Sequence, residues 1–449
     1  MKGLNLRKRS SGMALAIALA TGAVVATGSF GFAEPAHAQK KKKKKEKEEK
    51  ASYSEEFIAA YTPLNDALNA EGTDLAPLKP QLTALASLST SPDEQIASGG
   101  LIYNAGAKLS DRALQLEGLQ LMLASGKAPA DQIGRYNYIA YTLAGNMEQW
   151  EQARGFLQSA IDANFTTEGV TAADLQISLA ESYFSEERYK EGLAYLSQAI
   201  EAREQAGQPV DERWYRRGLT VAYTNEIVPE VYDFTYGWVA DYPSAENWRD
   251  AINITRNLNA YEDQEILDLL RFSKKVDALT DKQDYIIYVD AADARRLPQE
   301  VKSLIEQAYA SGTIGQEDTF IAESLSTASG RLAGDRRDLP SLEADASASG
   351  AALRTVVAAG DAFYSYGEYE KAAGFYERSL TMPGVDTARV LTRLGMSQIQ
   401  MGQYDTAKAT LAKVSGARMP IARLWSTYAD QQTSGAASAA TVAETTVGG

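Results

Sequence analysis

Residues 356–376 read VVAAGDAFYSYGEYEKAAGFY, and residues 391–411 read LTRLGMSQIQMGQYDTAKATL. Superposed at an offset of 35, they share a large apolar residue (Val356, Leu391) and a glycine four later (Gly360, Gly395). A Gly-x-Tyr step follows (Gly367 to Tyr369, Gly402 to Tyr404), then alanine (Ala372, Ala407) and a large residue (Tyr376, Leu411). Spacings of three and four put these positions on one face of a helix, and the glycine step between two such runs is a turn. Each stretch is therefore a pair of antiparallel helices, and the constant offset makes the two stretches copies of one unit. Glycine and alanine at the helix crossings permit close approach. One hairpin cannot bury its apolar face alone, so hairpins must stack.

The unit recurs upstream in weaker form. Trp150-Ala153-Leu157-Ala160 and Tyr189-Gly192-Leu196-Ala199 repeat its second half. A degenerate copy runs through Trp214, Gly218 and Val221 to Ile227. The intervals are 39 residues from Trp150 to Tyr189 and 38 from there to Ile227. In these motifs the chain resembles a tetratricopeptide repeat protein. The resemblance implies an all-α, helix-turn-helix repeat solenoid whose first helices line a concave groove for a protein or peptide. By helical phase, the groove-facing candidates are Arg135, Tyr138, Glu181, Phe184, Tyr215, Arg354, Asp361, Tyr364 and Arg389. The family's clamp for a C-terminal carboxylate uses lysine and asparagine, which these positions lack, so that ligand is not expected.

The rest of the body also reads as helix. Ser54 to Asn69 carries Phe57, Ile58, Tyr61, Leu64 and Leu68 at helical spacing. Ser91-Pro92-Asp93-Glu94 and Thr171 with Asp174 are capping-box starts. The single β-like run, Tyr285 to Val289, is expected inside a buried helix. Residues 51–260 form an N-terminal helical region with divergent repeats, 261–345 eroded repeats or a linker, and 346–432 the C-terminal repeat pair with a capping helix. Residues 433–449, rich in small side chains, are expected to be a disordered tail.

Residues 1–38 have the form of a secretory signal: Lys2, Arg7, Lys8 and Arg9, an apolar stretch to Ala33, and Ala36-His37-Ala38 before Gln39. The competing reading is a retained membrane anchor, weakened by Thr21, Gly22, Thr27, Gly28 and Ser29. Residues 39–50 are an arm of eight lysines and three glutamates, among them Lys40, Lys41, Lys42, Lys43, Lys44 and Lys45 in a row. Four basic residues and one acidic precede the arm, which leaves 33 basic and 55 acidic residues from Ala51 onward, net −22. An acidic body argues against nucleic acid as the partner. The arm is either a solvated spacer or an electrostatic contact with an anionic membrane surface or other envelope polyanion.

The chain has no cysteine and a single histidine, His37, within the signal. Disulfides, cysteine–zinc sites, thiol nucleophiles and histidine-based triads are excluded from the mature chain. No G-x-G-x-x-G, P-loop or G-x-S-x-G motif occurs. Asp290 and Asp293 could share one helical face, but acidic pairs are common in this composition. No catalytic residue, metal site or cofactor is expected. The sequence points to a non-enzymatic scaffold, exported to the periplasm or cell envelope, that binds a protein or peptide. The alternative from a different class is a carboxylate-dependent glycan-active enzyme on an α-helical fold. Self-association through 261–345 is a third reading.

Overall fold

A computed structural model describes the backbone of residues 51–447 and the side chains of 51–434. The expected signal and lysine arm lie outside these residues. Twenty α-helices make up the described part, with no β-strand among them. Helix α1 (Glu55–Asn69) and α2 (Lys79–Leu88) come first, then the hairpin α3 (Pro92–Leu109) and α4 (Arg112–Ala124). Three more hairpins follow: α5 (Ile133–Asn146) with α6 (Trp150–Asp162), α7 (Ala172–Phe184) with α8 (Tyr189–Gln205), and α9 (Glu212–Thr224) with α10 (Val228–Asp241). The segment 261–345 carries α12 (Asp263–Lys275), α13 (Lys282–Ala292), α14 (Pro298–Ala310) and most of α15 (Thr319–Ser347), after α11 (Ala245–Asn257). The C-terminal pair is α16 (Leu353–Ser365) with α17 (Tyr369–Leu380) and α18 (Thr387–Gln400) with α19 (Tyr404–Leu411), followed by α20 (Met419–Val447). The β-like run Tyr285 to Val289 lies within α13.

Local chemistry accounts for these boundaries. Ser91 caps α3 and Glu94 closes a capping box, as Thr171 and Asp174 do for α7. Five hairpin turns share one geometry. A residue with positive φ ends the first helix, and the next N–H donates back to a carbonyl five residues earlier: Gln149 to Ala144, Arg188 to Tyr183, Ile227 to Ala222, Glu368 to Phe363, Gln403 to Gln398, all at 2.9–3.0 Å. In the C-terminal pair the positive-φ residue is Gly367 or Gly402; in the three upstream hairpins it is Glu148, Glu187 or Glu226. Asp277, with φ 57°, repeats the turn after α12.

The glycines at the crossings serve a different purpose from the mutual approach of small residues expected above. A Cβ on Gly360 would lie 2.6 Å from Tyr376 Cε1, and one on Gly395 2.5 Å from Leu411. Each glycine makes room for the large residue of its own repeat. The closest backbone-to-backbone approach at the glycines is in α3 and α4, where a Cβ on Gly99 would stand 2.6 Å from the Gly118 carbonyl.

The largest apolar core is continuous from Ala180 to Ala429 and joins α7–α12 to α16–α20. Trp425 of α20 meets Phe272 of α12 at 4.9 Å between ring centres, and Phe272 meets Trp248 of α11 at 5.1 Å. Helix α20 thus packs on α10 and α12 as well as capping α18 and α19. Its backbone is helical to Val447. Alanines 436, 437, 439, 440 and 443 are strong helix formers and carry the backbone onward. Among the described residues no helix is long and apolar enough to cross a membrane.

Candidate functional site

The nine groove candidates separate into two groups. Asp361, Tyr364 and Arg389, on α16 and α18, do not line an open groove, because α12 fills it. Asp268 of α12, wholly buried, accepts from Arg393 Nε at 3.0 Å, from Arg271 Nη1 at 3.3 Å and from Arg418. Arg393 Nη1 in turn reaches both oxygens of Asp361 at 2.7 and 2.8 Å, and Arg389 and Tyr376 donate to the same carboxylate at 2.9 and 2.8 Å. Arg271 lies over the Tyr364 ring at 4.6 Å and forks onto Glu300 of α14 at 2.8 and 2.6 Å, where Tyr288 of α13 also donates. Burial alone would raise the Asp361 carboxyl, but Arg393 and Arg389 outweigh it and hold it at about 2. Asp268 and Glu300 are also lowered by their arginines against the effect of burial. These carboxylates stay ionised and saturated with donors. Arg354, at the start of α16, stays exposed.

The other group lies on α5, α7 and α9. Arg135 is exposed on α5. Tyr138 stacks on Phe165 at 5.3 Å and leans on Tyr141 at 6.0 Å. Tyr215 corrects the expected register: it is 2 % exposed and turned into the layer between α8 and α10. Its hydroxyl donates to Asp241 Oδ2 at 2.7 Å, with Glu204 Oε1 at 2.9 Å. The cause is Gly237 of α10, where a Cβ would stand 2.7 Å from the Tyr215 ring. That glycine was the signal that could have placed Tyr215 in the core.

Glu181 and Phe184 meet at an open site. They border a crevice of about 310 Å³ between α7 and α9, completed by Arg217, Thr220 and Thr224. Glu181 is gripped through Nε and Nη2 of Arg217, the latter at 2.7 Å, and the guanidinium lies 5.3 Å above the Phe184 ring. Further along the same helices Arg213 reaches Asp174 at 3.3 Å, so α7 and α9 are joined by two ionic rungs. Sequence phase found the α7 side of the crevice and missed Arg217, Thr220 and Thr224, because the α9 copy lacks the turn glycine and the alanine that set the register elsewhere.

Among the described residues no group of three or more acidic side chains is placed to hold a metal ion. Asp290 and Asp293 do not share a helical face. Asp293 ends α13 with φ 59° and accepts from the Arg295 N–H at 2.9 Å. No protein-family model matches this chain, and no curated protein matches it.

Proposed function

We propose that this chain is an exported, non-enzymatic scaffold of the tetratricopeptide repeat type that binds a protein or peptide partner on its N-terminal hairpins. The observation that carries the reading is the open crevice between α7 and α9, in an array whose C-terminal counterpart is filled by the chain's own α12. A repeat fold hosts many functions, so the site must bear the argument. The buried carboxylates Asp268, Asp361 and Glu300 are saturated by arginines, so the C-terminal network offers no general acid or base to an enzymatic reading. In this proposal the leader directs export to the envelope, and Lys40 to Lys45 hold the protein near an anionic surface.

Site-specific photocrosslinking in intact cells tests the partner site. A crosslinker at Thr224 should give a discrete protein adduct, and one at Arg354, beside the filled groove, should not. Equal adducts at both positions, or none at Thr224, would remove the basis for the reading. For the arm, replacement of Lys40 to Lys45 by glutamine should abolish binding to anionic vesicles at low salt while leaving the helical spectrum unchanged. Continued sedimentation with the vesicles would sink the tether.

A further inference from the structure

Helix α15 is 29 residues long, yet its buried side chains are Ile321, Ala328 and Ala346 alone. They serve different cores. Ile321 and Ala328 join the apolar cluster of α13 and α14. Ala346, with the partly buried Leu339 and Leu342, belongs to the large core that runs from Ala180 to Ala429. From Ser329 to Asp345 no side chain is buried. Leu332, the one large apolar residue of 329–338, joins neither cluster. Helix propensity is weak in the same stretch. A Cβ on Gly330 would have nothing within 4 Å, and one on Gly334 would meet only the tip of Arg337 at 3.8 Å, so neither glycine serves packing. Relative to alanine, each lowers the local helix equilibrium about fivefold. Pro340 then removes the N–H that would close the turn on the Arg336 carbonyl. Among the described residues, the ties of 329–338 to the rest of the molecule are polar. Tyr366 Oη donates to Asp335 at 2.7 Å, and Arg336 reaches Gln299 of α14 at 3.4 Å and lies over the Tyr366 ring.

We propose that residues 329–338 are a hinge: this stretch of helix opens locally while the cores at its two ends stay folded, and α13 and α14 then pivot against the C-terminal hairpins. The pivot is α12, which serves both cores. Leu267 and Leu270 belong to the α13–α14 cluster, and Leu269 and Phe272 to the large one. Glu300 of α14, which also accepts from Tyr288 of α13, is gripped by Arg271 on the same helix. The α13–α14 lobe is therefore held at two places of unequal strength. One is a buried apolar and ionic seam along α12. The other is a single exposed helix weakened by two glycines. Local opening is drawn from segments with few buried contacts, and the second attachment is such a segment. The device is independent of what the crevice between α7 and α9 holds.

Hydrogen exchange of the full chain, read by mass spectrometry, tests the opening. Amides of 330–338 should exchange at least about tenfold faster than those of 321–328 and of α14. Gly330→Ala combined with Gly334→Ala fills open positions and should slow the middle by about 20-fold, leaving α12 and α14 unchanged. Tyr366→Phe, which removes the bond to Asp335, should quicken it by about fivefold. The pivot is read separately. The chain has no cysteine, so spin labels at Glu306→Cys on α14 and Glu377→Cys on α17, both exposed positions, report without background. The distance distribution between them should be broad with the native glycines and narrow with the two alanines. A reference pair at Glu377→Cys and Asp405→Cys, within the C-terminal hairpins, should be narrow in both backgrounds. Protection in 330–338 equal to that of α14, or exchange indifferent to the alanines, overturns the hinge. Fast exchange with a narrow α14–α17 distribution overturns it as well, because the middle would then fray without moving the lobe.

Discussion

The α7–α10 hairpins and the α16–α19 hairpins share a turn geometry and a glycine-for-bulk crossing, yet use their grooves in opposite ways. In the C-terminal pair, α12 enters the groove and its charges are sealed in, with Asp268 and Arg393 fully buried. Between α7 and α9 the bridging pair Glu181 and Arg217 stays about a third exposed, and a crevice remains. The pair that best matches the repeat pattern is the one whose groove is spent on the fold. Conformity to a repeat motif reports how helices pack. It says little about which groove is free.

The largest test of this contrast is Asp268→Asn. It leaves Arg271, Arg393 and Arg418 short of a buried counter-charge, and should cost about 3–5 kcal/mol in urea unfolding. A loss below about 1 kcal/mol would mean the C-terminal groove is not locked by this network.

Acid should next expose the same network. The folded Asp361 carboxyl titrates at about 2, below the unfolded value near 4. Its contribution, about 2 kcal/mol, is therefore complete above pH 4 and lost as pH falls through 2. Glu94 behaves alike for another reason: backbone N–H groups of Ser54, Ser91 and Thr90 hold it at about 2 against burial. In a circular-dichroism titration Asp361→Asn should flatten the acid-dependent loss of the C-terminal half and leave the Glu94 part. An unaltered acid profile in that variant would count against the assignment.

Gly395→Leu should destabilise by roughly 1–3 kcal/mol, since even a Cβ there collides with Leu411. An unchanged melting temperature would contradict the packing of α18 on α19.

Smaller effects should come from the turns. Glu187→Gly relieves a left-handed backbone and should stabilise α7–α8 by about 1 kcal/mol, while Gly402→Glu should cost α18–α19 about as much. Smallest of all, Glu181→Gln should change stability by under about 1 kcal/mol, because the pair it breaks is partly in water. A larger loss would make the two grooves alike and erase the distinction.

These turns also explain what could be read from the sequence. The helices, their caps and the C-terminal pair were legible because serine, threonine and glycine sit where the backbone requires them. The upstream copies were blurred because glutamate occupies the left-handed position, so the punctuation that marks a hairpin was missing at Glu148, Glu187 and Glu226. Of the crevice, Glu181 and Phe184 were found by phase. Arg217 was not, and Tyr215 was put on the wrong side because Gly237, which admits it to the core, lies on a different helix. The occupied groove was not legible at all. Asp268 and Arg393 are 125 residues apart, and neither carries a local sign of its partner.

The placement of α20 sets an order of events for a chain made from its N-terminus. Trp248 and Phe272 emerge long before Trp425, the residue that covers them, has been synthesised. The hairpins up to α6 have their neighbours in hand as they appear. Helices α10 to α12 must wait, with apolar faces uncovered, for α20. A stop in translation before Trp425 would leave that waiting surface bare and open to proteases and aggregation, and would do most harm to a region about 150 residues or more upstream of the stop.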